Sequence, residues 1–153
     1  MLSIAEETPR QDEVARLLAA SDAFSAALYP PESNHMIDVE ALCMPGVRFF
    51  VARDDGRAVG CGALVPAGDG TAEVKRMFVD PAARGRGVGL AILEAVEAAG
   101  RYAALRVIRL ETGVNSREAL SLYRRCGYRE RGPFGAYRPD PLSVFMEKSL
   151  ASG

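Results

Sequence analysis

One segment near the middle of the chain restricts its fold more than any other. Val74 to Val79 is apolar enough for a strand, Asp80-Pro81 turns it, and Arg84-Gly85-Arg86-Gly87-Val88-Gly89 leads into a second element. The next apolar residues, Ala91, Ile92, Ala95, Val96 and Ala99, recur at helical spacing, and the stripe ends near Gly100. A strand that feeds a helix through a basic, glycine-rich turn implies a sheet with parallel neighbours. Glycines 85, 87 and 89 let backbone N–H groups approach a ligand without a Cβ in the way. The helix adds the positive end of its dipole, and Arg84 and Arg86 add charge. These features suit a bound phosphate. A plain glycine-rich helix start with surface arginines explains them too. A dinucleotide fingerprint fails, because its third glycine would fall on Leu90. A Walker A loop fails for want of Gly-Lys-Ser/Thr.

The remaining segments supply the rest of a mixed sheet. Residues 2–5 read as a short strand. Thr8-Pro9-Arg10-Gln11 reads as a capping box opening a helix, with Val14, Leu17, Leu18, Phe24 and Leu28 at helical spacing. Tyr29-Pro30-Pro31 must break it, and a short helix follows around Ile37 to Leu42. Val47 to Arg53 and Ala58 to Val65 read as strands joined at Asp54-Asp55-Gly56. Residues 72–79 and Arg106 to Thr112 are further strands. Asn115-Ser116-Arg117-Glu118 caps a helix whose inner face is Ala119, Leu122, Tyr123 and Cys126, stopped by Gly127. Leu142 to Lys148 alternates as a last strand. The order predicts an α/β (α+β) domain over residues 1–153, a mixed central sheet with helices on both faces.

Bulk numbers narrow the partners. A chain of 153 residues carries one domain with a sizeable core. A net charge of −1 argues against nucleic acid as main partner. No apolar run approaches the roughly 18 residues of a membrane span, and the acidic N-terminus is no secretory signal. Cys43, Cys61 and Cys126 are widely spaced, and there is one histidine. That reads as three reduced thiols in a cytoplasmic protein with no metal site. Lys75, Arg76, Arg101 and Arg106 read as solvated surface.

Arg84-x-x-Gly87-x-Gly89 resembles the Arg/Gln-x-x-Gly-x-Gly/Ala signature of the GCN5-related N-acetyltransferases. The lead-in Met77-Phe78-Val79-Asp80-Pro81 is similar to that family as well. So is Asn115-x-x-x-Ala119-x-x-Leu122-Tyr123-x-x-x-Gly127-Tyr128, about thirty residues later. Two motifs at this separation are more specific than either alone. The likeness is strong over residues 45–130. The segments from Tyr29 to His35 and from Pro133 to Ser143 look similar to a bacterial subgroup of small-molecule acetyltransferases.

The resemblance implies a co-substrate, acetyl-CoA, and a site for it. The backbone of Met77, Phe78 and Val79 would pair with the pantetheine arm like an added strand, at a sheet edge opened by a bulge. An N–H near Val79 would steady the developing oxyanion. Gly85, Arg86, Gly87, Val88 and Gly89, with Arg84, would hold the pyrophosphate. Asn115 would contact the pantetheine, or simply cap its helix. Tyr123 would protonate the departing thiolate, though on an apolar helical face it also reads as core. The attacking amine must lose a proton to a carboxylate. Glu73 shares a strand face with Lys75 and Met77 and is one candidate, or a solvated edge residue; Glu111, ending the next strand, is its rival.

Tyr29, Glu32, Ser33, Asn34 and His35 lie where the family's acceptor loop lies. His35 equally suits a plain surface loop. Arg138 is a candidate for an acceptor carboxylate. The implied function is N-acetyl transfer to a primary amine of a small molecule or amino acid, by direct attack without an acyl-enzyme. Cys61 and Cys126 suit packing rather than nucleophilic work. A non-turning acetyl-CoA sensor or assembly module, and a protein N-acetyltransferase, are the alternatives. The resemblance also leaves room for a homodimer.

Overall fold

Three consecutive antiparallel strands form where the apolar residues alternate, and the chain then changes to a parallel crossover. The computed structural model describes residues 1–150. In chain order the elements are β1 (Leu2–Glu6), α1 (Asp12–Leu28), α2 (Val39–Leu42), β2 (Arg48–Asp54), β3 (Arg57–Pro66), β4 (Thr71–Val79), α3 (Val88–Tyr102), β5 (Val107–Gly113), α4 (Arg117–Arg125), β6 (Arg129–Arg131) and β7 (Ser143–Ser149). They make one seven-stranded sheet in the order β1-β2-β3-β4-β5-β7-β6. All neighbours are antiparallel except β4 and β5, whose crossover is α3.

The β2–β3 hairpin turns through Asp55 and Gly56, both left-handed (φ 51° and 86°), as a two-residue turn requires. Each sheet face has its own core. Val14, Leu17 and Leu18 of α1 pack with Leu42 on Phe49, Val51, Cys61, Ala63 and Phe78. On the other face Ile92, Leu93 and Val96 of α3 and Leu120 and Tyr123 of α4 cover Val74, Ile108, Leu110 and Met146. Among the described residues no helix is long and apolar enough to cross a membrane.

Three local expectations change. The helix expected to open at Thr8 begins at Asp12. The Gln11 side chain donates to the Thr8 carbonyl at 2.9 Å and to Glu7 at 3.1 Å, so the capping-box residues form a turn before the helix. Gly100 does not end α3. It lies buried within the helix, packed so closely that a Cβ would come within 2.9 Å of Leu150 Cδ1, and the left-handed residue after the helix is Ala104. Cap duty on α4 falls to Ser116 and not to Asn115, and no side-chain oxygen performs it.

Candidate active site

The site begins as a gap in the sheet. Strands β4 and β5 pair only from Thr71–Val74 to Val107–Leu110. Among the described residues, β4 beyond Val74 has only β3 as a strand partner, so one edge of Lys75 to Val79 is open. The cause is a bulge. Cys61 faces Phe78 but Ala63 faces Lys75, which leaves Gly62 opposite two residues, Arg76 and Met77. Arg76 takes a left-handed conformation (φ 58°) to make the extra step.

The bulge corrects the expected facing of β4. Glu73 and Lys75 do share a face, but Met77 is turned to the α3 side, where it packs on that core. Gly62 makes the room, since a Cβ there would lie 2.7 Å from Met77 Sδ. Phe78 points into the α1-side core. The Asp80 N–H donates to Val59 O at 2.8 Å, which puts Val79 in the phase whose backbone groups face away from β3, into the gap. Its carbonyl accepts Arg84 Nε–H at 3.1 Å, and the Arg84 guanidinium lies 5.1 Å from the Phe24 ring centroid. Arg84 therefore stands at the gap, its charge held over aromatic rings.

Helix α3 starts beside this gap without a side-chain cap and without an acidic residue in its first turn. Its first N–H groups are left for another partner. Gly85 and Gly87 both have positive φ (81° and 79°) and are exposed. Arg86 is exposed and 3.4 Å from Asp54. Val88 is buried beneath the turn, and Gly89 lies against Leu122, where a Cβ would stand 3.1 Å from Cδ2. The loop meets the requirements of an anion cradle: free N–H donors, no carboxylate of its own, and nothing within 4 Å of where a Cβ of Gly85 or Gly87 would stand.

The α1 side of the gap holds a compact polar cluster. Tyr137 donates its hydroxyl proton to Glu73 Oε2 and accepts from Lys75 Nζ at 2.7 Å. Lys75 also donates to the His35 carbonyl at 2.7 Å and stands 3.5 Å from Glu73. Glu111 accepts from the Ser143 hydroxyl at 2.8 Å. Burial holds its carboxyl above the ordinary range, partly offset by Ser143, His35 and Lys75. The aromatic rings of His35, Phe134 and Phe145 surround Tyr137 edge-on, 5.1–5.3 Å between centroids. Lys75 and Arg76 are thus not solvated surface: their side chains are 12% and 3% exposed.

Tyr123 sits on the opposite side, buried in the α3–α4 core with its ring 5.7 Å from Tyr128. Burial, and then the charge of Glu111, push its hydroxyl further up, so it stays protonated throughout the neutral range. Cys61 is buried, its thiol pushed up to about 12, which leaves it unreactive.

Two loops roof the cluster. Ser33 donates to Asp140 at 2.8 Å, tying the first loop to the tail segment. The Tyr29 hydroxyl lies 2.8 Å from Ser116 Oγ and accepts the Asn115 N–H at 3.0 Å, at the start of α4. It occupies the space that a Cβ of Gly113 would need. Asn34 is half-buried, while Glu32, Asn115 and Arg138 are exposed. Sequence reasoning took Lys75 for surface and gave Tyr137 and Ser143 no role beyond their place in the tail segment. The aromatic spacing Phe134-x-x-Tyr137 in the tail was the available signal, but nothing local says which strand such a loop will touch.

Comparison with known proteins identifies the family of this fold. A family model described as an acetyltransferase (GNAT) domain matches residues 45–130. An Azospirillum brasilense protein named IAA acetyltransferase is 49% identical over 150 residues, covering 97% of this chain and 98% of its own. A crystal structure of a Klebsiella pneumoniae chain, described as an acyl-CoA N-acyltransferase, superposes with a TM-score of 0.83 at 39% identity and covers 98% of both chains. The PaiA N-acetyltransferase of Thermoplasma acidophilum, solved in complex with coenzyme A, shares the fold at a TM-score of 0.75 and 16% identity, over 97% of this chain and 99% of that one.

Proposed function

The chain belongs to the GNAT acetyltransferase family, and from that premise we propose that it transfers the acetyl group of acetyl-CoA to the amine of a small molecule by direct attack. One observation carries the reading. The gap between β4 and β5 has two carboxylates, Glu73 and Glu111, on its α1 side and a protonated tyrosine, Tyr123, on its other side. An acyl transfer through such a gap takes a proton from the nucleophile on one face and returns one to the leaving group on the other.

The co-substrate fits the residues present. The uncapped start of α3 and the positive-φ glycines suit its pyrophosphate. The open edge of Met77–Val79 suits an extended arm. Acetyl-CoA supplies an acyl group activated as a thioester. The Val79 N–H, facing the gap, is placed to stabilise the carbonyl oxygen as it takes up charge.

The two carboxylates divide the work. Glu73 is held by Tyr137 and Lys75, whereas Glu111 has one neutral donor and a desolvated carboxyl. A base whose affinity for protons is raised removes an amine proton more readily at neutral pH. Glu111 is therefore the base, and Glu73 with Tyr137 orients the acceptor. The amine nitrogen forms the new N–C bond, its proton passes to Glu111, the C–S bond breaks, and Tyr123 protonates the sulfur. The aromatic wall of Phe134, Tyr137 and Phe145 favours an acceptor with a flat apolar body.

The test is release of free thiol from acetyl-CoA across amino acids, arylalkylamines, polyamines and aminosugars. Thiol release with an arylalkylamine or amino acid is the expected result. With the hit in hand, Tyr123→Phe should lower kcat by about a hundredfold and leave the KM for acetyl-CoA within about threefold. A wild-type kcat would return Tyr123 to core packing. Tight acetyl-CoA binding with no release from any amine would favour a sensor, or a protein acceptor.

A further inference from the structure

A cavity of about 480 Å³ lies between α1 and the segment 31–39, and no step of the transfer uses it. Its apolar lining includes Leu18, Met36, Ile37 and Val39, and Arg76 is the one sheet residue that lines it. The groove is open to solvent and its lining also carries Asp22 and Asp38, so Arg76 is the one cationic group it offers to a ligand with an apolar body.

Arg76 is an unusual residue to find there. It stands on the bulge in a left-handed conformation that disfavours any residue with a Cβ. Its side chain is only 3% exposed, yet its donors are poorly served. Nη1 donates to Asp22 at 2.8 Å and Nη2 to the Leu18 carbonyl at 3.2 Å, while Nε is buried without a partner among the described residues. Asp22 is itself 59% exposed, so the one carboxylate that balances a buried guanidinium is mostly in water. A buried charge is costly unless well paired, and this pairing is incomplete. The nearby Asp38 does not complete it, because its carboxylate accepts the Ala41 N–H at the start of α2.

The cavity adjoins the transfer site. Segment 34–36 alternates over β4: His35 faces the Tyr137 cluster, while Asn34 and Met36 line the cavity. Arg76 directly follows Lys75 on β4, so the cavity and the carboxylate cluster lie against the same stretch of strand, on either side of segment 34–36. We propose that Arg76 is the carboxylate receptor of the acceptor site, so that the acceptor is an apolar-bodied amine that also carries a carboxylate. The ligand carboxylate takes the place of Asp22 and, bonding through both oxygens, serves the guanidinium more fully than the single Asp22 contact does. This assignment deepens the transfer reading and rests on it for the identity of the ligand as acceptor.

Calorimetry with two unreactive probes, 3-phenylpropionate and its neutral amide, separates the two readings, because it needs no turnover. The wild-type chain should bind the acid at least about tenfold more tightly than the amide. Arg76→Gly, which also relieves the left-handed residue, should remove that preference. Asp22→Asn, which withdraws the competing carboxylate, should tighten acid binding, an effect that a merely structural ion pair would not produce. Equal affinities for acid and amide, or a preference that survives Arg76→Gly, overturns the assignment even if thiol release is robust. A clear acid preference with no thiol release sustains the receptor and counts against the transfer reading alone.

Discussion

Gly87→Glu is expected to raise the Kd for coenzyme A by at least about a hundredfold, measured by calorimetry. Two causes act together. The substitution puts a carboxylate at the uncapped start of α3, where the only charges the loop can welcome are the ligand's own. It also asks a residue with a Cβ to hold φ 79°, at a cost of about 1–2 kcal/mol. Loss of two charge-assisted hydrogen bonds, each worth about 1.5–3 kcal/mol, accounts for the affinity change. The fold should persist, because a Cβ at Gly87 meets nothing within 4 Å. A Tm lowered by only about 5 °C would confirm that. An unchanged Kd would take the glycine loop out of the site.

Glu111→Gln should lower kcat by about 10²–10³-fold and abolish the acidic limb of the pH–rate profile. It should also make the protein more stable at neutral pH. Burial raises the carboxyl of the folded chain above its ordinary 4.5, so the folded state holds the proton more firmly than the unfolded one. The unfolded chain binds fewer protons through the window that opens at 4.5. Stability therefore falls as pH rises through that window, and above it the buried charge is a standing cost. Glutamine carries no such charge and still accepts from Ser143. Thermal melts at pH 4 and pH 7.5 would show it: the variant gains over the parent only at the higher pH. A loss of activity without that gain would mean that Glu111 is not desolvated. Full activity in the variant would return the base to Glu73.

Most of the architecture was readable along the chain. The strand-turn-helix around Asp80 to Gly89, the Asp55-Gly56 turn and the helix bearing Tyr123 depend on neighbours in sequence, and each sits within a residue or two of its expected bounds. Capping was less readable. Thr8 has the chemistry of a cap, but the Gln11 amide takes its carbonyl and moves the start of α1 to Asp12. The three-residue β6 went unseen because Arg129–Arg131 has no apolar alternation and exists only by pairing with β7.

The sequence by itself determined the fold class, the glycine-rich turn into α3 and the residue types found along β4, β5 and α4, because each rests on local backbone geometry or on short spacing. Tertiary structure alone decided where those residues meet. A one-residue mismatch between β3 and β4 turned Met77 to the α3 side, opened the sheet beside Val79 and buried the Arg76 guanidinium. Tyr137 reached Glu73 from 64 residues away, and Ser33 reached Asp140 across 107. Such contacts arise from how strands register and how loops close over a sheet. Register is a property of two strands together, and neither strand carries it in its own residues.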